Sequence, residues 1–193
     1  MSQKLKLVLG AAGFAALIIL AVIGYNILSG KIQPEDGIRI EQEQGDVSGA
    51  DDIREKAPDF TMVDWDGNDI KLSELIAKGK PVVLNFWASW CPPCKGEMPE
   101  FEKVYSELGQ DVQFVMVDLV DGMQETKATG EKYIRDQGYT FPVFFDAKGE
   151  GASEYGIRSI PTTIFIDKDG NSIAEVLGAI DEATLRRGIE GIR

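Results

Sequence analysis

The sequence predicts an α/β fold: a mixed central β-sheet flanked by helices, with an N-terminal β-hairpin and an N-terminal transmembrane helix. Three observations carry this reading. Between residues 81 and 145, short apolar runs rich in β-branched and aromatic residues alternate with longer polar stretches of helical character, the pattern of parallel strands joined by helices. The chain then closes on a two-strand pattern around a D-G turn, which adds an antiparallel pair to the same sheet. Ahead of both stand 24 uncharged residues, Leu7 to Gly30, in a chain that is otherwise acidic.

Taken in order, Leu7 to Gly30 would extend about 36 Å as a helix, enough to cross a hydrocarbon core of roughly 30 Å. A cleaved signal peptide is the competing reading, but its apolar core runs only about 7–15 residues before a small-x-small cleavage site. The run here is longer and shows no convincing site, so residues 1–31 are read as an uncleaved signal-anchor. Lys4 and Lys6 on one side nearly balance Lys31 and Arg39 on the other, so charge alone does not orient it. Residues 32–57 are rich in Glu, Asp, Gln and Gly without a dense apolar pattern, and are read as an acidic flexible linker that buries too little to fold by itself.

The domain is assigned to residues 58–193. Asp59 to Asp64, a D-G-N turn at Asp66 to Asn68, and Ile70 to Leu72 form the hairpin, and Ser73 is the expected cap of a short helix through Ala77. Pro81 to Ala88 (PVVLNFWA) is a continuous apolar run, as a central strand buried on both faces requires. A helix follows from Cys91 to Leu108, then a strand over Val112 to Val117, a helix over Glu125 to Gln137, a short strand at Val143 to Phe145 and one helical turn near Ala152 to Tyr155. Thr162 to Asp167, a turn at Asp169 and Gly170, and Ser172 to Leu177 make the closing hairpin. Asp181 caps a last helix that ends near Gly191.

Composition narrows the chemistry. The 193 residues carry 20 Lys and Arg against 32 Asp and Glu, a net charge of −12, so a nucleic-acid partner is not expected. The charge divides into +3 over residues 1–31 and −15 over the remainder, which has 17 basic and 32 acidic residues. There is no histidine, which removes Ser-His-Asp and Cys-His nucleophiles and every imidazole-ligated metal. Two cysteines cannot complete a zinc or iron–sulfur site within one chain, so neither a metal nor a cofactor is expected. What remains is a dithiol/disulfide couple.

That couple sits at Trp90-Cys91-Pro92-Pro93-Cys94-Lys95, after the first buried strand and at the start of a helix. Two intervening residues let both sulfurs meet within one helical turn, where free N–H groups and the positive end of the helix stabilise a thiolate on Cys91. Cys94, one turn inside, is the shielded thiol that resolves a mixed disulfide. A purely structural bridge over so short a loop constrains the unfolded chain little. The two prolines remove backbone donors near the sulfur and bring no cation, which favours a reducing couple.

VVLNFWASWCPPCK resembles the active-site strand and helix of the thioredoxin superfamily, and YGIRSIPTTIFIDKDGN resembles its second signature, with Pro161 at the position of the cis-proline. The anchor, the opening segment APDFTMVDWDGNDIKLSEL and the inserted segment through TFPVFFD are similar to the membrane-anchored TlpA/ResA-like thiol-disulfide oxidoreductases. The resemblance covers residues 57–193. It implies a thioredoxin-like fold, Cys91 as nucleophile, Cys94 as resolving thiol, and Pro161, with Ile160 before it, receiving the substrate backbone. Trp90, Pro92 and Pro93 are candidates for the substrate groove; Trp87 is expected in the core and Trp65 in the hairpin. Asn85 stands where cytosolic thioredoxins carry a buried acid. Glu97 matches an acid that ResA-like proteins carry beside the cysteines, a candidate proton acceptor for Cys94; the remaining acids are expected on the solvated surface.

The expected activity is a membrane-tethered, single-pass protein disulfide reductase facing the extracytoplasmic side. Its clients would be disulfide-containing proteins such as apocytochrome c, a methionine sulfoxide reductase or a peroxiredoxin, and a membrane thiol carrier would be its reductant. A disulfide oxidase is the alternative within enzymes; a redox-sensing or metal-binding module without turnover is the alternative outside them.

Overall fold

The computed structural model describes residues 55–193. The segment assigned to the membrane span and most of the linker lie outside the described residues; among those described, no helix is long and apolar enough to cross a membrane. The chain forms a seven-stranded sheet in the order β2-β1-β5-β4-β3-β6-β7. Its strands are β1 (Thr61–Val63), β2 (Asp69–Lys71), β3 (Val82–Trp87), β4 (Gln113–Asp118), β5 (Val143–Phe145), β6 (Thr162–Ile166) and β7 (Ser172–Leu177). The helices are α1 (Leu72–Ile76), α2 (Pro92–Leu108), α3 (Lys127–Gln137), α4 (Glu150–Glu154) and α5 (Glu182–Glu190).

Strands β3, β4 and β5 run parallel, as the intervening α2 and α3 require, while β6 is antiparallel to β3 and β1 is antiparallel to β2 and β5. Pairing begins upstream of Pro58: Lys56 bridges Asn171, and the Ala57 and Ser172 amides donate to the carbonyls of Gly170 and Glu55 at 2.9 Å each.

Every residue of β3 is buried, so side chains of both parities feed a core. Val83, Trp87, Phe114, Met116 and Phe145 join Met98, Phe101 and Val104 of α2, Ile134 of α3 and Leu185 and Ile189 of α5 on one face. Leu84, Phe86, Val115, Val117 and Ile164 join Leu72 and Leu75 of α1 and Phe60 on the other. Each fully buried large apolar side chain contributes roughly 1.5–3 kcal/mol relative to exposure.

Local chemistry fixes the helix ends. Ser73 does not cap α1. The residue before that helix is Lys71, and Asp59 instead reaches across to accept from the Ser73 N–H at 2.8 Å and its hydroxyl at 2.9 Å. Thr126 caps α3 in a reciprocal arrangement with Thr129, so Glu125 lies just outside the helix. Asp181 accepts from the Thr184 N–H at 2.8 Å at the start of α5.

Candidate active site

Strand β3 and helix α2 meet at a turn, Ala88–Trp90, that delivers Cys91 to the helix mouth. Pro92 and Pro93 occupy the first helical positions, where a missing N–H costs nothing because those donors lack intrahelical acceptors. The first amide able to reach the sulfur is therefore that of Cys94, which donates to Cys91 Sγ at 3.2 Å. Cys91 and Cys94 form a disulfide, their Cα atoms 5.3 Å apart. Both cysteines are buried, Cys91 with 2% of its surface exposed and Cys94 with none. Pro92 and Pro93 are exposed around them, and Trp90 is 44% exposed, so it is not held in the core. Trp87, by contrast, is fully buried.

The second signature comes to the same place. Cys91 Sγ lies 3.7 Å from the Ile160 carbonyl oxygen, and the Ile160–Pro161 bond is cis. Pro161 is buried, and its carbonyl accepts from the Gly178 N–H at 2.9 Å, which ties this turn to the end of β7. Thus Cys91, Cys94, Ile160 and Pro161 share one locale, bordered by Trp90, Pro92 and Pro93.

Glu97 falls on the apolar stripe of α2, with Cys94, Met98, Phe101 and Val104, and is 2% exposed. Its Oε1 accepts from Asn85 Nδ2 and its Oε2 from the Ile180 N–H, both at 2.9 Å. Burial dominates these two bonds and pushes its pKa up from 4.5 to about 7. Asn85 also donates to Thr163 Oγ1 at 3.0 Å, while its own Oδ1 is buried without a partner. The residue that replaces the expected buried acid is therefore the donor that holds another acid nearby.

Several buried acids were not legible in the sequence. Asp118, Glu125, Asp146 and Asp167 are buried, contrary to the expectation of a solvated surface for all other acids. Asp118 closes β4, where the strand continues one residue past the expected Val117, and neither carboxyl oxygen has a hydrogen-bond partner. Burial, followed by the nearby charges of Glu125 and Asp121, pushes its pKa up to about 9, so at neutral pH it is a neutral acid. Glu125 bonds to Ser89, two residues before Cys91. Only the polar Asn85 within the otherwise apolar run PVVLNFWA hinted at an interior polar position.

A dithiol/disulfide pair at a helix mouth, set against a cis-proline turn on a mixed sheet with helices on both faces, defines a thioredoxin-like thiol-disulfide oxidoreductase. Comparison with known proteins agrees. The AhpC/TSA family pattern matches residues 53–174. Thiol-disulfide oxidoreductase ResA of Geobacillus kaustophilus is 30% identical over 196 residues, covering 100% of this chain and 99% of that protein. Sporulation thiol-disulfide oxidoreductase A of Bacillus subtilis is 35% identical, covering 74% of this chain and 87% of that protein. Among solved structures, StoA from Bacillus subtilis superposes with a TM-score of 0.58 at 34% identity, over 68% of this chain and 96% of that one. A thioredoxin family thiol:disulfide interchange protein from Chlorobium tepidum reaches 0.63 at 29%, over 74% and 99%. The chain belongs to the AhpC/TSA family, as a ResA-like thiol-disulfide oxidoreductase.

Proposed function

We propose that the protein is a disulfide reductase, tethered to the membrane by residues 1–31 through the linker 32–57 with domain 58–193 on the extracytoplasmic face. The observation that carries the chemistry is the Cys91–Cys94 pair beside the Ile160 carbonyl. In the reduced enzyme the Cys91 thiolate attacks one sulfur of a client disulfide, forming a mixed disulfide and expelling the first client thiolate. Cys94 then loses its proton, for which Glu97, one helical turn on, is the acceptor. The Cys94 thiolate attacks Cys91 Sγ, expels the second client thiolate and closes the Cys91–Cys94 disulfide. Two electrons pass from the enzyme dithiol to the client, and an external dithiol, assigned to a membrane thiol carrier, must restore the enzyme. Ile160 and Pro161 offer backbone to an extended client segment, with Trp90, Pro92 and Pro93 as its apolar border.

The direction rests on the thiolate environment. A strong oxidant stabilises its thiolate heavily. Here the two prolines leave one helix amide on Cys91 Sγ, and a buried carboxyl sits one turn away. The weaker stabilisation favours the disulfide state and hence a reducing couple, near about −250 mV rather than −120 mV. Equilibration of the full-length chain with glutathione measures it; a value above about −180 mV overturns the reductase reading. Clients such as apocytochrome c, a methionine sulfoxide reductase or a peroxiredoxin are distinguished by trapping with Cys94→Ser, which stalls at the mixed disulfide. Protease treatment of intact cells tests the orientation: a protected domain refutes the outward placement.

A further inference from the structure

The turn that presents Cys91 is held from outside by a buried carboxylate. Glu125 is 0% exposed, and no ion pair accompanies it among the described residues. It carries a set of donors instead. Its Oε2 accepts from the Ser89 N–H and the Ser89 hydroxyl, both at 2.7 Å; its Oε1 accepts from the Ser89 hydroxyl at 3.0 Å and Thr129 Oγ1 at 2.6 Å. Its backbone is fixed in turn: the Glu125 N–H donates to Asp121 Oδ1 at 2.8 Å, and its carbonyl accepts from the Asp121 and Gly122 amides at 3.1 and 3.0 Å.

Burying a carboxylate away from any cation is costly unless its oxygens are satisfied. This one is satisfied chiefly by a single residue, Ser89, in the turn Ala88–Trp90. Besides Glu125, the turn is held by the Cys91 amide bonded to the Ala88 carbonyl at 3.1 Å and by burial of Ala88 in the core. The charge of Glu125 acts on Asp118 of β4, itself an acid, and no salt bridge to Glu125 forms among the described residues.

We propose that Glu125 is a positioning residue for disulfide exchange: through Ser89 it fixes the Ala88–Trp90 turn, and so the place of the Cys91 sulfur, while its charge restrains the Cys91 thiolate. This rests on Cys91 being the attacking thiol. Loss of exchange in Cys91→Ser tests that assignment separately, and exchange that persists there refutes the nucleophile rather than the anchor.

The experiment follows exchange of the reduced full-length chain with oxidised glutathione across pH, which yields the Cys91 thiol pKa and a limiting rate constant for the thiolate. Glu125→Gln keeps an oxygen for the Ser89 amide and an NH2 for Thr129 Oγ1 but removes the charge. It is expected to raise the thiolate fraction below the thiol pKa by roughly tenfold, on the order of the effect of one nearby charge at an effective dielectric of about 20, and to lower the limiting rate by about threefold, because thiolate nucleophilicity falls with pKa at a Brønsted slope of about 0.4–0.5. Glu125→Ala removes charge and anchor together, and its limiting rate is expected to fall roughly tenfold because the sulfur is no longer held in register. Asp59→Ala frees the start of α1, which carries no bond to Glu125 or Ser89, and is expected to move neither quantity. If Glu125→Ala does not fold, Ser89→Ala, which removes only the hydroxyl, takes its place, with an expected fall of about threefold. A wild-type thiol pKa in Glu125→Gln overturns the electrostatic part; a wild-type limiting rate in Glu125→Ala, or in Ser89→Ala where Glu125→Ala does not fold, overturns the anchor.

Discussion

Replacing Glu97 by Gln isolates the energetic consequence of a carboxyl buried beside the cysteines. In the folded protein this carboxyl holds its proton up to about 7, whereas an unfolded chain releases it near 4.5. The folded state therefore binds more protons across that window. Stability from this group is fully present below about 4.5 and is lost as pH rises through 7, by about 3 kcal/mol in all at roughly 1.36 kcal/mol per decade. The amide introduced by Glu97→Gln does not titrate, so the variant lacks this loss. The amide can also keep the local bonds: its oxygen accepts from the Ile180 N–H, and if the Asn85 amide turns over, the otherwise unpartnered Asn85 Oδ1 accepts from the new NH2 group while Thr163 donates its hydroxyl. Denaturant unfolding of the oxidised full-length chain from about pH 4.5 to about pH 8.5 should show the variant gaining about 3 kcal/mol on the wild type across the range. A difference between the two that stays flat with pH would show that Glu97 is not the perturbed group and refute its use as a proton acceptor near neutrality.

Three further outcomes follow from particular contacts. Asp118→Asn should gain stability over the wild type as pH rises from about 4 towards 9, exceeding about 1 kcal/mol near pH 8, since ionising the buried Asp118 is what the wild type resists; unfolding at several pH values reads it. Gly188→Ala should destabilise by about 1–3 kcal/mol, because a Cβ there would lie 2.1 Å from Phe165 Cζ in the core; the urea midpoint measures this. Asp59→Ala should cost about 1 kcal/mol by freeing the Ser73 N–H and hydroxyl at the start of α1, with hydrogen exchange of that turn rising in step.

Much of the site was legible because its signals are local. The sequence pattern at 82–87 required a doubly buried strand, the prolines at 92 and 93 suit the first turn of a helix, and two cysteines without histidine allowed one kind of chemistry. Residues whose roles depend on distant partners were not legible. Ser73 had the right side chain for a cap but lies one residue inside α1, and the bond to its N–H comes from Asp59, fourteen residues earlier, because the hairpin folds that carboxylate over the helix. Glu97 could be placed on a helix but not assigned its donors, since Asn85 and Ile180 come from β3 and the start of α5.

The sequence by itself determined the chemistry of this protein: a dithiol couple on Cys91 and Cys94, in a domain whose apolar periodicities admit a mixed sheet with helices on both faces. Tertiary structure alone decided which acids are buried behind that couple and its turn, and in what state. A carboxyl's proton affinity depends on the water it loses and the donors it meets, and both are set by chain segments far apart in sequence. So Glu97, Asp118 and Glu125 look like three acids among 32 when read along the chain. Folding makes them a carboxyl titrating near 7, one held neutral to about 9, and one bound to the turn that carries Cys91.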